Sequence, residues 1–161
     1  MPATTRTIYQ LKIQLRDVDP PIWRRVDVWA DITLAQLHQV LQIVMGWEDS
    51  HLHQFDIGER LYGLPEILEG DVADERRTRL KSAVRKVGVG FTYEYDFGDS
   101  WRLDIVIESI LSPEPKGRYP RCVDGRRSGP PEDSGGPYGY ADYLEALADP
   151  KHERHQEMLD W

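Results

Sequence analysis

Three pairs of side chains in this 161-residue sequence have the types and spacing that acid–base or metal chemistry uses: His51 and His53, Asp96 and Asp99, Glu132 and Asp133. Histidines two apart on a strand project from one face, so His51 and His53 can approach a single metal ion. A catalytic metal needs at least a third protein ligand. His38, Asp96, Glu132 and Asp133 are the candidates, and nothing in the spacing selects among them. On this count the sequence predicts no stoichiometric metal and no cofactor. Adjacent carboxylates on an extended segment point to opposite sides, which argues against Glu132 and Asp133 acting together. Their default role is to favour the dipole of the helix that follows. Asp96 and Asp99 flank a tight turn at Gly98, where aspartate accepts backbone N–H bonds. Ser134 lacks the setting of a nucleophile elbow, and no phosphate-binding or dinucleotide glycine pattern occurs.

The elements that must position these groups follow from periodicity. Residues 9–15 alternate apolar and polar, and residues 22–29 resume an extended pattern after Asp19-Pro20-Pro21, predicting two antiparallel strands. Thr33 with Gln36 forms a capping box ahead of Leu34, Leu37, Leu41, Val44 and Met45, which share one side of a helix that Gly46 ends. His51, His53, Phe55 and Ile57 read as one face of a third strand. Residues 58–75, rich in glycine and acid, read as an exposed flap, and Leu80 and Val84 mark a brief helix in a basic segment. Phe91, Tyr93, Tyr95 and Phe97 alternate with polar residues, as do Trp101, Leu103, Ile105 and Ile107, predicting a long β-hairpin whose apolar face lies in the core. Residues 112–137 read as an ordered irregular loop. Tyr140, Tyr143, Leu144 and Leu147 recur at helical spacing, Asp149-Pro150 stops that helix and can begin another, and the last turn carries Met158 and Trp161. The fold class is α+β, an antiparallel sheet with a long hairpin packed against a few helices, in a single domain over residues 1–161.

Charge and cysteine content exclude several roles. Twenty basic against 28 acidic residues give a net charge of −8, which opposes long-range attraction to nucleic acid or anionic membrane. Weak nucleic-acid contact is open only through the local cluster Arg76, Arg77, Arg79 and Lys81, whose default reading is a solvated face balanced by the acids of residues 66–75. A lone Cys122 makes no internal disulfide, no apolar run approaches a bilayer span, and the N-terminus lacks a signal peptide's apolar stretch. A cytoplasmic protein without membrane contact is expected.

Pro21-Ile22-Trp23-Arg24, Leu37-His38 with Met45-Gly46-Trp47, His51-Leu52-His53-Gln54-Phe55, the 93–101 stretch and the 130–140 stretch, taken in order, resemble the Ri-plasmid ORF-three-like family. The resemblance covers nearly the whole chain. It implies an α+β fold, a setting on plasmids and near insertion elements, and an open biochemical role. Family members often carry a histidine two residues after the hairpin tryptophan, where this chain has Leu103. They often place cysteines around the acidic loop, where it keeps Cys122 but has Gly129 and Ser134. A metal site shared through those groups would be broken here.

The sequence thus reads as a non-enzymatic binding module, linked through the resemblance to mobile DNA and facing an unknown protein partner. Its candidate binding residues are Arg24, His51, His53, Tyr95, Asp96, Asp99, Trp101, Glu132 and Asp133. The alternative is a metal-assisted hydrolytic enzyme using His51 and His53 with Asp96 or with Glu132 and Asp133. Convergence of these side chains separates the two readings.

Overall fold

Eight strands form one sheet in the computed structural model, which describes residues 6–160. The alternating segments read from the sequence become β1 (Ile8–Leu15), β2 (Trp23–Trp29), β3 (His53–Ile57), β6 (Gly90–Tyr95) and β7 (Trp101–Leu111). Three shorter strands join them: β4 (Arg60–Gly63), β5 (Val72–Asp74) and β8 (Arg121–Arg126). The spatial order is β5-β4-β3-β6-β7-β1-β2-β8, and every neighbouring pair is antiparallel except β4 with β5. Helix α1 (Leu34–Met45) starts at the Thr33–Gln36 capping box and stops at Gly46, whose φ of 73° is the left-handed cap geometry. It buries Leu34, Leu37, Leu41 and Met45 in the cluster that contains Leu11, Ile13, Tyr93 and Trp101. A 3-10 turn at Glu75–Arg77 and the short α2 (Leu80–Ala83) lead back to the sheet, while α3 (Gly136–Ala148) and α4 (His155–Asp160) close the chain.

The structure corrects several sequence expectations. The 58–75 flap holds β4 and β5, and the 112–137 loop holds β8. Strands β4 and β5 are too short to show a period. Strand β8 is a sheet edge exposed on both faces, so no alternation of burial was there to write into its sequence. The third strand begins at His53, leaving His51 in the preceding bend. Asp96 takes a positive φ of 60° and breaks the alternation after Tyr95, so Phe97 is turned out to solvent instead of joining the core. Asp149 ends α3 as expected, but the next helix starts only at His155. Trp161 lies outside the described residues.

Candidate metal centre

Three carboxylates from two segments meet at the imidazole of His51. Its Nε2 stands 2.8 Å from Asp133 Oδ1, 3.5 Å from Asp96 Oδ2 and 3.7 Å from Glu132 Oε2. Despite the short distance to Asp133, this buried nitrogen makes no hydrogen bond of acceptable direction among the described residues. Two ligand atoms each about 2.1 Å from one metal ion stand about 3.0–3.4 Å apart at right or tetrahedral angles, and the three separations bracket that range. Ligand atoms of His51, Asp96 and Asp133 all lie within 4.8 Å of one another.

Each segment is locked from behind. Asp96 Oδ1 accepts the backbone N–H groups of Gly98 and Asp99, the expected turn geometry, which leaves Oδ2 facing His51. Glu132 Oε1 accepts from Glu48 N–H at 2.7 Å and from the Tyr95 hydroxyl at 2.9 Å, leaving Oε2 on the His51 side. Carboxylates anchored through one oxygen, with the other directed inward, are the arrangement that orients metal ligands. Asp99 Oδ2 accepts Gly135 N–H and ties the hairpin turn to the acidic loop. Trp47 donates its indole N–H to Pro130 C=O and stacks on Tyr95, with ring centroids 4.9 Å apart. Gly129 presses on the end of α1 so closely that a Cβ there would lie 2.0 Å from Met45 C=O. Burial, followed by the bond to Glu132, pushes the Tyr95 hydroxyl up to about 12, so it remains protonated and donating at neutral pH.

The two acids of the loop both face His51, because Asp133 is not extended. Its φ of 56° turns its side chain back toward the one that Glu132 already offers. The histidine pair, in contrast, divides. His53 Nε2 bonds Glu75 Oε1 at 2.6 Å, and its ring stacks on His38 with centroids 3.5 Å apart and planes 8° apart.

The profile of plasmid pRiA4b ORF-3-like proteins matches residues 7–161. The chain belongs to that family. An uncharacterised protein, y4hQ, of Sinorhizobium fredii is 45% identical over 157 residues, 96% of this chain and 80% of that one. A crystal structure of a protein of unknown function, MM3350 from Methanosarcina mazei Go1, superposes with a TM-score of 0.88 at 37% identity, covering 98% of this chain and 90% of that one. In this ORF-3-like chain neither Leu103 nor Cys122 enters the His51 cluster. Leu103 is buried in the core, and the exposed Cys122 sits on β8.

Among the nine candidate binding residues, His51, Asp96, Glu132 and Asp133 converge, with Tyr95 and Asp99 as their supports. Trp101 is buried beside Trp47 and Tyr140, beneath the loop. Arg24 clamps backbone instead: its guanidinium donates to the carbonyls of Val44, Trp23 and Arg126, joining β2 to α1 and β8. The basic segment is partly spent on neighbours, while Arg77 and Lys81 stay exposed. Arg76 bonds Asp74 and Glu66, Arg77 lies 4.0 Å from Asp74, and Arg79 donates to Asp31 C=O. Sequence reasoning missed Gln42, Asp49 and Glu75, which with Tyr93 surround the stacked histidines. Glu75 is 22 residues from His53, and no local spacing announces such a pair.

Proposed function

We propose that this ORF-3-like protein holds a divalent cation between His51 Nε2, Asp96 Oδ2 and Asp133 Oδ1, with Glu132 Oε2 as a fourth donor, and uses it in metal-assisted hydrolysis. The observation that carries the reading is the unpaired imidazole nitrogen facing three inward carboxylates. Among the described residues no lysine or arginine ion-pairs with Asp96, Glu132 or Asp133, so their mutual repulsion lacks any compensating charge beyond the imidazole. One imidazole with three carboxylates suits Mn²⁺, Fe²⁺ or Zn²⁺. Such an ion supplies Lewis acidity and a nucleophilic bound water. The expectation of no stoichiometric metal rested on a missing third ligand; Asp96 and Asp133 fill that place.

A non-enzymatic interaction module would leave these side chains dispersed, so their convergence favours the hydrolytic alternative. The link to mobile DNA rests on the family's plasmid name, and a cytoplasmic setting on the lone Cys122. No helix among the described residues is long and apolar enough to cross a membrane. The test is elemental analysis after metal stripping, reloading with Mn²⁺ or Zn²⁺, and desalting. About one equivalent is expected, lost in His51→Ala and Asp96→Asn variants whose thermal unfolding remains cooperative. Wild-type protein that retains no metal, or variants that retain as much as wild type, would overturn the proposal.

A further inference from the structure

Beside the metal centre opens a cavity of about 680 Å³, bounded by the first half of α1, the 49–53 segment, the 64–67 segment and the Glu75–Arg77 turn. Its volume is that of a small-molecule site. Leu52 and Ile67 offer it exposed apolar surface beside Leu64. The polar wall carries Asp49, Gln39 and Ser50, with His38, His53 and Glu75 beneath. Asp96, Glu132 and Asp133 do not line it.

Hydrogen-bond arithmetic fixes the charge state of His38 in this wall. Asp49 N–H can only donate, so the Gln42 oxygen it meets at 2.7 Å is Oε1, and Gln42 Nε2 must donate to the Tyr93 hydroxyl. Tyr93 is fully buried and its hydroxyl proton has one remaining acceptor, His38 Nδ1 at 2.7 Å. His38 is therefore the neutral tautomer with its proton on Nε2, donated to Asp49 Oδ1 at 2.9 Å. A neutral ring orients Asp49 without cancelling its charge. Glu75 faces His53, and the Arg76 guanidinium is consumed by Asp74 and Glu66. Asp49, with a 54% exposed side chain, presents to the cavity a carboxylate whose hydrogen-bonded side-chain partner is the neutral His38 ring. Its backbone is held at φ 54° by the Gln42 bond, a conformation aspartate tolerates.

His38, Asp49 and His53 also bring ligand atoms within 4.8 Å of one another. A metal on His38 Nε2 would move the ring proton to Nδ1, against a tyrosine hydroxyl already accepting from Gln42, and would strand the hydroxyl proton in the core. Parallel rings 3.5 Å apart also aim their nitrogen lone pairs side by side instead of at one point. The wiring thus suits an external cation that pairs with Asp49 while leaving His38 protonated on Nε2.

We propose that this cavity binds an organic ammonium ion carrying a branched apolar group, with Asp49 as its counter-ion and Leu52 and Ile67 covering the apolar part. The site meets the metal centre only at His51, and Asp49 is not among the residues of that centre. The test is a chemical-shift titration of metal-stripped protein, in chelator at neutral pH, with 3-methylbutylamine and with 3-methylbutanoate, which has the same carbon skeleton and the opposite charge. The amine is expected to bind at least about tenfold more tightly than the acid, with shifts at Asp49, Leu52 and Ile67. Asp49→Asn keeps an acceptor for His38 and tolerates the same φ, so it folds; it is expected to weaken the amine at least about tenfold. Equal or tighter binding of the acid, unchanged amine affinity in Asp49→Asn, or shifts confined elsewhere would overturn the proposal. In the separate metal-reloading experiment, without chelator, a second equivalent of Zn²⁺ that Asp49→Asn abolishes would assign the site to a metal instead.

Discussion

Tyr95 stands one step behind the His51 cluster, accepting Ser50 N–H and donating to Glu132 Oε1. Removing that hydroxyl takes away one of the two bonds that orient Glu132, leaving the Glu48 N–H, without touching a ligand atom. Tyr95→Phe is expected to weaken Mn²⁺ or Zn²⁺ binding about 10–100-fold, the usual cost of losing an outer-shell partner, measured by competition with a chromogenic chelator. Deeper in, burial holds His38 below the ordinary histidine range, the neighbouring His53 ring adds to the effect, and Asp49 only partly opposes it. With the folded pKa depressed, the unfolded chain binds more protons as pH drops below about 6.5, so the native state loses stability as pH falls through the folded pKa of His38. Urea midpoints at neutral and mildly acidic pH should show that loss, and His38→Gln should show less of it. An identical acid loss in the variant would place the titration elsewhere. Little of this residue-scale detail was legible. The His51/His53 spacing predicted a shared face, but a strand that begins at His53 gives the two rings different partners. The Glu132/Asp133 pairing depends on one left-handed backbone angle that nothing in residues 130–136 advertised.

At the scale of elements the sequence was more readable, because an element with one buried face writes its period into the chain. Thr33, Gln36 and Gly46 marked α1 at both ends, and β1, β6 and β7 showed the alternation that burial imposes. Strand β8 escaped because an edge open on both faces has no period, and β4 and β5 because three or four residues are too few. Trp101 is where the hairpin, α3 and the segment after α1 meet, through Trp47 and Tyr140. Trp101→Ala is expected to cost about 3–5 kcal/mol in denaturant unfolding, the range for deleting a buried aromatic. An unchanged midpoint would show that the loop, α1 and α3 do not depend on that ring.

On the whole molecule, charge decides the partner class. The net charge of −8 is joined by local neutralisation of Arg76, and Arg79 turns to a backbone carbonyl. Duplex DNA is therefore expected to bind no more tightly than about 10⁻⁵ M at physiological salt, the non-specific range. A labelled-duplex titration across salt concentrations checks this: sub-micromolar binding with a steep salt slope, lost on neutralising Arg76, Arg77 and Arg79, would make nucleic acid the partner. The sheet edges agree with a chain that does not recruit others by strand addition, since β5 has three residues and β8 carries arginine at both ends with a register shift opposite it.

The close approach of Gly129 to Met45 has a use in genetics. The obstacle to a side chain there is backbone, which cannot swing aside, so the loop itself must yield. The sheet and α1 do not depend on that loop for their hydrogen bonding, whereas Glu132 and Asp133 reach His51 only while it stays seated. A single-codon change from glycine to alanine would thus produce an allele that makes folded protein with its two loop carboxylates displaced. Set beside a deletion in the host, that allele would separate phenotypes that need the His51 cluster from those that need only the protein's presence.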